Sequence, residues 1–171
     1  MTQSQSTGIP FISKELTLEG NLKSFLEAVQ LLAIISEDVF IATFPYCSAE
    51  LLVEIEQAIT IQEQYASMIA TISSCLQAVV RCCPFMAIRE IFEKITLLLL
   101  NGSALRLNMT GEEPVSYWPD LRNALSRGLT ARDGRLFAAE FRKLMEIIFT
   151  EMKQKLLESG VAAVEDIVAP M

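Results

Sequence analysis

Histidine is missing from this 171-residue chain. Its absence excludes Ser-His and Cys-His nucleophiles, imidazole general bases and the Glu-x-x-His metal sites of helical bundles. The chain also lacks a Gly-rich phosphate loop, a Walker motif and a Gly-x-Ser-x-Gly elbow. Seven glycines and six prolines are too few for a collagen-like repeat. We therefore expect no enzymatic activity, no cofactor and no metal.

Cysteine is also scarce, and its spacing carries little information. The four cysteines contain no Cys-x-x-Cys pair, which speaks against a zinc site. Three of them, Cys75, Cys82 and Cys83, fall in one apolar stretch, where a thiol behaves as a small hydrophobic group. The first eight residues carry no basic or apolar segment of a secretory signal. We expect a reducing, intracellular and cytoplasmic location.

Basic residues are outnumbered, with 14 Lys and Arg against 21 Asp and Glu, which gives a net charge of -7. A chain this acidic is repelled by phosphate backbones, so we expect no nucleic-acid partner. Residues 122–135 reverse the balance, because they hold four arginines and one acid. This stretch is either a solvated surface or a site for a phosphate or lipid head group. The candidate residues for that site are Trp118, Arg122, Arg127, Arg132 and Arg135.

Apolar residues make up 51% of the chain, but no run of them is long enough to span a membrane. The longest uncharged run, residues 64–80, has 17 residues and includes six polar ones. A span needs roughly 20 mostly apolar residues. We expect no transmembrane span and interpret the run as part of a buried helix.

Apolar residues recur at intervals of three and four, the helical period, and no convincing strand pattern occurs. Ser48 and Asp133 are predicted helix N-caps, and Asn101-Gly102 is a predicted helix end followed by a long connection. The sequence predicts an all-α, single-domain bundle of about five helices. Residues 1–12 are expected to form a disordered tail, and residues 13–168 the helical domain. The predicted third helix buries Phe85, Ile88, Ile91, Phe92, Ile95, Leu98 and Leu99.

The predicted second helix runs from Ser48 to about Cys82 and is apolar on more than one face, which favours a central position. One of its faces has the three-and-four spacing of a helix packed nearly parallel to a neighbour. That face is either part of the core or a candidate interaction seam. The seam consists of Leu52, Ile55, Ile59, Gln62, Ile69 and Leu76.

These features favour a non-enzymatic helical interaction or scaffold domain that binds a protein partner or self-associates as an oligomer. One alternative is a protein that binds or transfers a lipid, with the arginine stretch at the head group. Residues 24–29, Ser-Phe-Leu-Glu-Ala-Val, are similar to the opening helix of glycolipid transfer proteins, an all-helical family. That family's Asp-x-x-x-Asn-x-x-Lys motif and histidine are absent, so no binding residue is carried over. A third alternative is a membrane-active bundle that exposes residues 64–80.

Overall fold

Six α-helices and one 3-10 turn form the part of the chain described by a computed structural model, residues 14–61, 65–110, 118–158 and 160. The all-α class is confirmed, and the count of about five helices is close. The predicted tail, residues 1–12, lies outside the described residues. The elements are α1 (Lys14–Thr43), the 3-10 turn (Phe44–Tyr46), α2 (Ala49–Thr60), α3 (Tyr65–Arg81), α4 (Met86–Thr110), α5 (Trp118–Thr130) and α6 (Gly134–Glu158).

Two predicted N-caps are confirmed by their hydrogen bonds. The Ser48 hydroxyl accepts the backbone N–H of Leu51 at 3.1 Å at the start of α2. The Asp133 carboxylate accepts the N–H groups of Arg135 and Leu136, both at 3.0 Å, at the start of α6. Each cap satisfies N–H groups that have no partner within the helix.

The prediction of one continuous second helix is wrong. Helix α2 ends at Thr60, and the N–H of Ile61 closes its last turn on the Gln57 carbonyl. Helix α3 then begins at Tyr65, beyond three residues that are not described. The apolar spacing continues in register across this break, so periodicity alone did not reveal it.

The predicted helix end at Asn101-Gly102 is also wrong, because α4 continues to Thr110. An interior glycine costs a helix only about 1 kcal/mol relative to alanine. The residues that follow, Ala104, Leu105 and Arg106, favour helix and offset this cost. The connection predicted over residues 102–116 is therefore helical in its first part, and residues 111–117 lie outside the described residues.

The main helix contacts form a closed ring in the order α1, α4, α3, α2, α5, α6 and back to α1. Each helix packs on two principal neighbours, and the contact between α1 and α6 is the most extensive. The predicted second helix is therefore a part of this ring and not a central element. Apolar side chains inside the ring make one core, and each helix keeps an outward face.

The start of α6 packs closely against the end of α1. The Phe40 ring meets Phe137 and Phe141 edge to face, at centroid separations of 4.9 and 5.2 Å. Phe44 adds a third contact to Phe40 at 5.9 Å. Such aromatic pairs stabilise a fold by more than their buried area alone accounts for, so this cluster stabilises the contact between α1 and α6.

Candidate interaction surface

The residues of the predicted seam lie inside the core of the chain. Leu52, Ile55 and Ile59 of α2 and Leu76 of α3 are almost completely buried. Gln62 lies outside the described residues, and the side chain of Ile69 is not described. A partner would reach the buried members only if α2 or α3 moved away from the bundle. The structure thus brings most of the seam together, but against the chain's own helices.

Three of the seam residues, Ile55, Ile59 and Leu76, line a small apolar cavity that Leu125 and Phe137 close from α5 and α6. Its volume is about 10 Å³. That is the space of about one water, far below what an acyl chain fills. Lipid binding stays a prediction, and at this cavity it would require the core to open.

The residues of the predicted anion site have different surroundings. Trp118 is only 2% exposed and belongs to the core. Arg122 is half-buried, whereas Arg127, Arg132 and Arg135 are exposed. This site too stays a prediction.

Two of these arginines lie beside carboxylates. The Nε atom of Arg135 is 3.8 Å from Glu37 Oε1 on α1. Arg132 and Glu56 line a surface cleft between α2 and the end of α5. The Ser126 hydroxyl also donates to Glu56 Oε1 at 2.7 Å, which ties α5 to α2. These carboxylates lower the local positive potential that an anion would require.

The outward face of α4 carries the most concentrated exposed apolar group among the described side chains. The inward face is formed by Phe92, Ile95 and Leu99, which are buried against α1 and α3. On the outward side of the helix, the exposed fractions are 64% for Met86, 51% for Ile91, 54% for Leu97 and 42% for Leu98, and Phe85, directly before the helix, is 56% exposed. We call these five residues the outer α4 face. The burial predicted for Phe85, Ile91 and Leu98 is wrong, because the helix is apolar on both faces and only one is covered.

Charged residues lie between the apolar residues of the outer α4 face. Glu90, Glu93 and Lys94 are exposed on the same side of the helix. Residues 87, 91, 94 and 98 repeat at intervals of four, three and four, so they form one stripe along α4. The exposed side of α4 thus carries both apolar and charged residues, in addition to the apolar residues of its buried side.

A second cluster contains thiols that lie far apart in the sequence. Cys47 follows the 3-10 turn, and its Sγ atom lies 4.0 Å from the carbonyl oxygen of Val79 on α3. The backbone N–H of Cys82 donates to the same oxygen at 3.0 Å. Burial, together with Cys82 and Cys83 beside it, raises the pKa of Cys47 to about 12. Burial alone raises the pKa of Cys75 to about 11.

Within the described ranges, no three His, Cys, Asp or Glu side chains are grouped so that they could hold a metal ion. None of the helices in that part of the chain has both the length and the apolarity to cross a membrane.

Comparison of the chain with protein-family models, with curated proteins and with solved structures found no match.

Proposed function

We propose that the chain is a non-enzymatic helical interaction domain that self-associates, with two copies pairing through their outer α4 faces. The observation that carries this proposal is the exposure of five large apolar side chains between Phe85 and Leu98. Scattered exposed apolar residues are ordinary, but a cluster on one helix face is typical of an interaction site. Water contact with this cluster is unfavourable, and a facing helix would remove it.

The charges on α4 favour a second copy of the chain as the occupant. Two α4 helices that run antiparallel and cross near residue 92 would place Met86 level with the partner subunit's Leu98. The same register places Glu90 level with the partner subunit's Lys94, and two-fold symmetry repeats that pair. Exposed ion pairs contribute only about 0.2–1 kcal/mol each, so they would set the register while apolar contact supplies the affinity.

Sedimentation velocity over a range of concentrations tests this proposal. We expect a monomer–dimer equilibrium in the wild-type chain and a monomer in the Leu97→Glu variant. Ile34→Glu is the matched control, because Ile34 is 57% exposed on the outward side of α1. It should dimerise like the wild type. Circular dichroism should show the same helix content in all three proteins.

The proposed register has its own test by charge exchange. Glu90→Lys should weaken the dimer by like-charge repulsion with the partner subunit's Lys94. Adding Lys94→Glu to the same chain should restore the affinity. A wild-type chain that stays monomeric at high concentration, or a dimer broken by Ile34→Glu and not by Leu97→Glu, would overturn the proposal.

A further inference from the structure

The turn after α1 and the end of α3 bring two half-buried free thiols together, those of Cys47 and Cys82. Both groups are oriented by backbone carbonyls. The Cys47 thiol lies 3.6 Å from the Thr43 oxygen and 4.0 Å from the Val79 oxygen. The Cys82 thiol lies 3.7 Å from the Ala78 oxygen, one residue before Val79. The Cys47 thiol and the backbone N–H of Cys82 both approach the Val79 oxygen, at 4.0 and 3.0 Å, which places the two cysteines beside each other at the end of α3.

We propose that Cys47 and Cys82 form a reversible disulfide when the chain meets a small-molecule disulfide such as glutathione disulfide. The site is separate from the outer α4 face and does not depend on the proposed self-association. The third nearby cysteine, Cys83, is buried with 2% exposure, whereas Cys47 and Cys82 are each partly open to solvent. An oxidant therefore reaches the Cys47–Cys82 pair more readily than Cys83.

The reaction proceeds through two thiol–disulfide exchanges. The Cys82 thiol loses a proton, and its sulfur attacks glutathione disulfide, so that a mixed disulfide forms and one glutathione leaves as a thiol. The Cys47 thiol then loses its proton and attacks the Cys82 sulfur, which releases the second glutathione. In sum, two protein thiols are oxidised to one disulfide and one glutathione disulfide is reduced to two thiols.

The order of attack follows from the environment of Cys47. Its raised pKa keeps it protonated at neutral pH, and the thiolate is the attacking species. Attack by Cys47 is therefore slow, and we assign it to the second exchange. We expect a single glutathione adduct on Cys82 to accumulate before the disulfide forms.

Peptide mapping of the full chain tests the pairing. The reduced protein is incubated in glutathione redox buffers, quenched by alkylation and cleaved after Glu, Lys and Arg. This cleavage separates residues 38–50 with Cys47, residues 64–81 with Cys75, and residues 82–89 with Cys82 and Cys83. We expect a disulfide between the first and third peptides, and its loss on return to reducing buffer.

Single variants decide which cysteines are used. Cys47→Ser and Cys82→Ser should abolish the linked peptide, whereas Cys75→Ser and Cys83→Ala should retain it. The disulfide closes the chain between residues 47 and 82, so the oxidised wild type should melt several degrees above the reduced form. Wild-type chain with no linked peptide in oxidising buffer, or a link that survives Cys82→Ser, would overturn the proposal.

Discussion

Asp133 serves two helices at once. Its backbone N–H donates to the Gly128 carbonyl at 3.0 Å, and the N–H of Arg132 donates to Leu129 at 3.1 Å. Arg132 is left-handed, with a φ of 53°, so these bonds form a Schellman motif that ends α5. The Asp133 side chain then caps α6, and the direction of the chain reverses within a few residues.

We expect Asp133→Ala to lower the free energy of unfolding by about 1 kcal/mol, since two N–H groups of α6 lose their acceptor. Asp133→Asn should retain most of the stability, because its amide oxygen accepts the same bonds. Urea denaturation followed by circular dichroism measures both variants. Equal stability of the wild type and the alanine variant would contradict the role of this cap.

Local signals of this kind could be predicted from the sequence. Ser48 and Asp133 were identified because a cap depends on a side chain and the next few residues. The proximity of Cys47 and Cys82 could not be identified, since it depends on the packing of α3 against the turn after α1. Spacing rules for cysteines describe neighbours in sequence and give no information about such a pair.

At the scale of helices, two glycines allow unusually close contacts. A Cβ atom on Gly134 would lie 2.5 Å from the carbonyl oxygen of Phe40, so α6 begins almost in contact with the backbone of α1. A Cβ atom on Gly128 would lie 2.7 Å from the Cα atom of Phe137. Backbone atoms cannot move aside as side chains do, and both contacts therefore require glycine.

Gly134→Ala should destabilise the chain, although alanine is the better helix former. Overpacking typically costs about 1–3 kcal/mol, which exceeds the propensity gain of about 1 kcal/mol. Thermal denaturation measures the change, and we expect a Tm several degrees lower. A variant more stable than the wild type would show that α6 does not approach α1 so closely.

Helix faces were harder to assign than helix ends. The inward residues Phe92, Ile95 and Leu99 were predicted correctly from their spacing. Phe85, Ile91 and Leu98 fit a helical pattern equally well, yet they are exposed. Periodicity cannot separate a buried stripe from an uncovered one, because both consist of the same residue types. The outer α4 face became visible only when the neighbours of α4 were known.

At the scale of the whole molecule, buried thiols link stability to alkaline pH. The pKa values of Cys47 and Cys75 are raised from 9.0 to about 12 and about 11. Between pH 9 and 11, the unfolded chain has lost these protons while the folded chain still holds them. Folding stability is therefore complete below pH 9 and falls as pH rises toward these values.

We expect the free energy of unfolding to decrease steadily between pH 9 and 11, as measured by urea denaturation in reducing buffer. The Cys75→Ala variant should show a shallower decrease, since one of the two thiols with a raised pKa is gone. Its stability at pH 7 provides the reference for any packing loss. An unchanged slope in that variant would mean that Cys75 does not contribute.

The all-α class could be predicted from composition and period alone, but the ring of helices could not. Its closure depends on which helices meet, and α1 and α6 lie near opposite ends of the described chain. The sequence contains no pattern that indicates a contact between Phe40 and Phe137. The apolar residues of α1 follow the helical period, whereas their partner required the three-dimensional structure.

The pairing of α1 with α6 has a consequence for synthesis. Because the most extensive helix contact joins the first described helix to the last, much of the folding free energy depends on contacts of long sequence separation. A nascent chain that ends before Gly134 contains α1 but lacks α6, the helix that makes the most extensive contact with α1. The Phe40 side chain, which packs on Phe137 and Phe141, then remains open to chaperones, or to aggregation, until α6 leaves the ribosome.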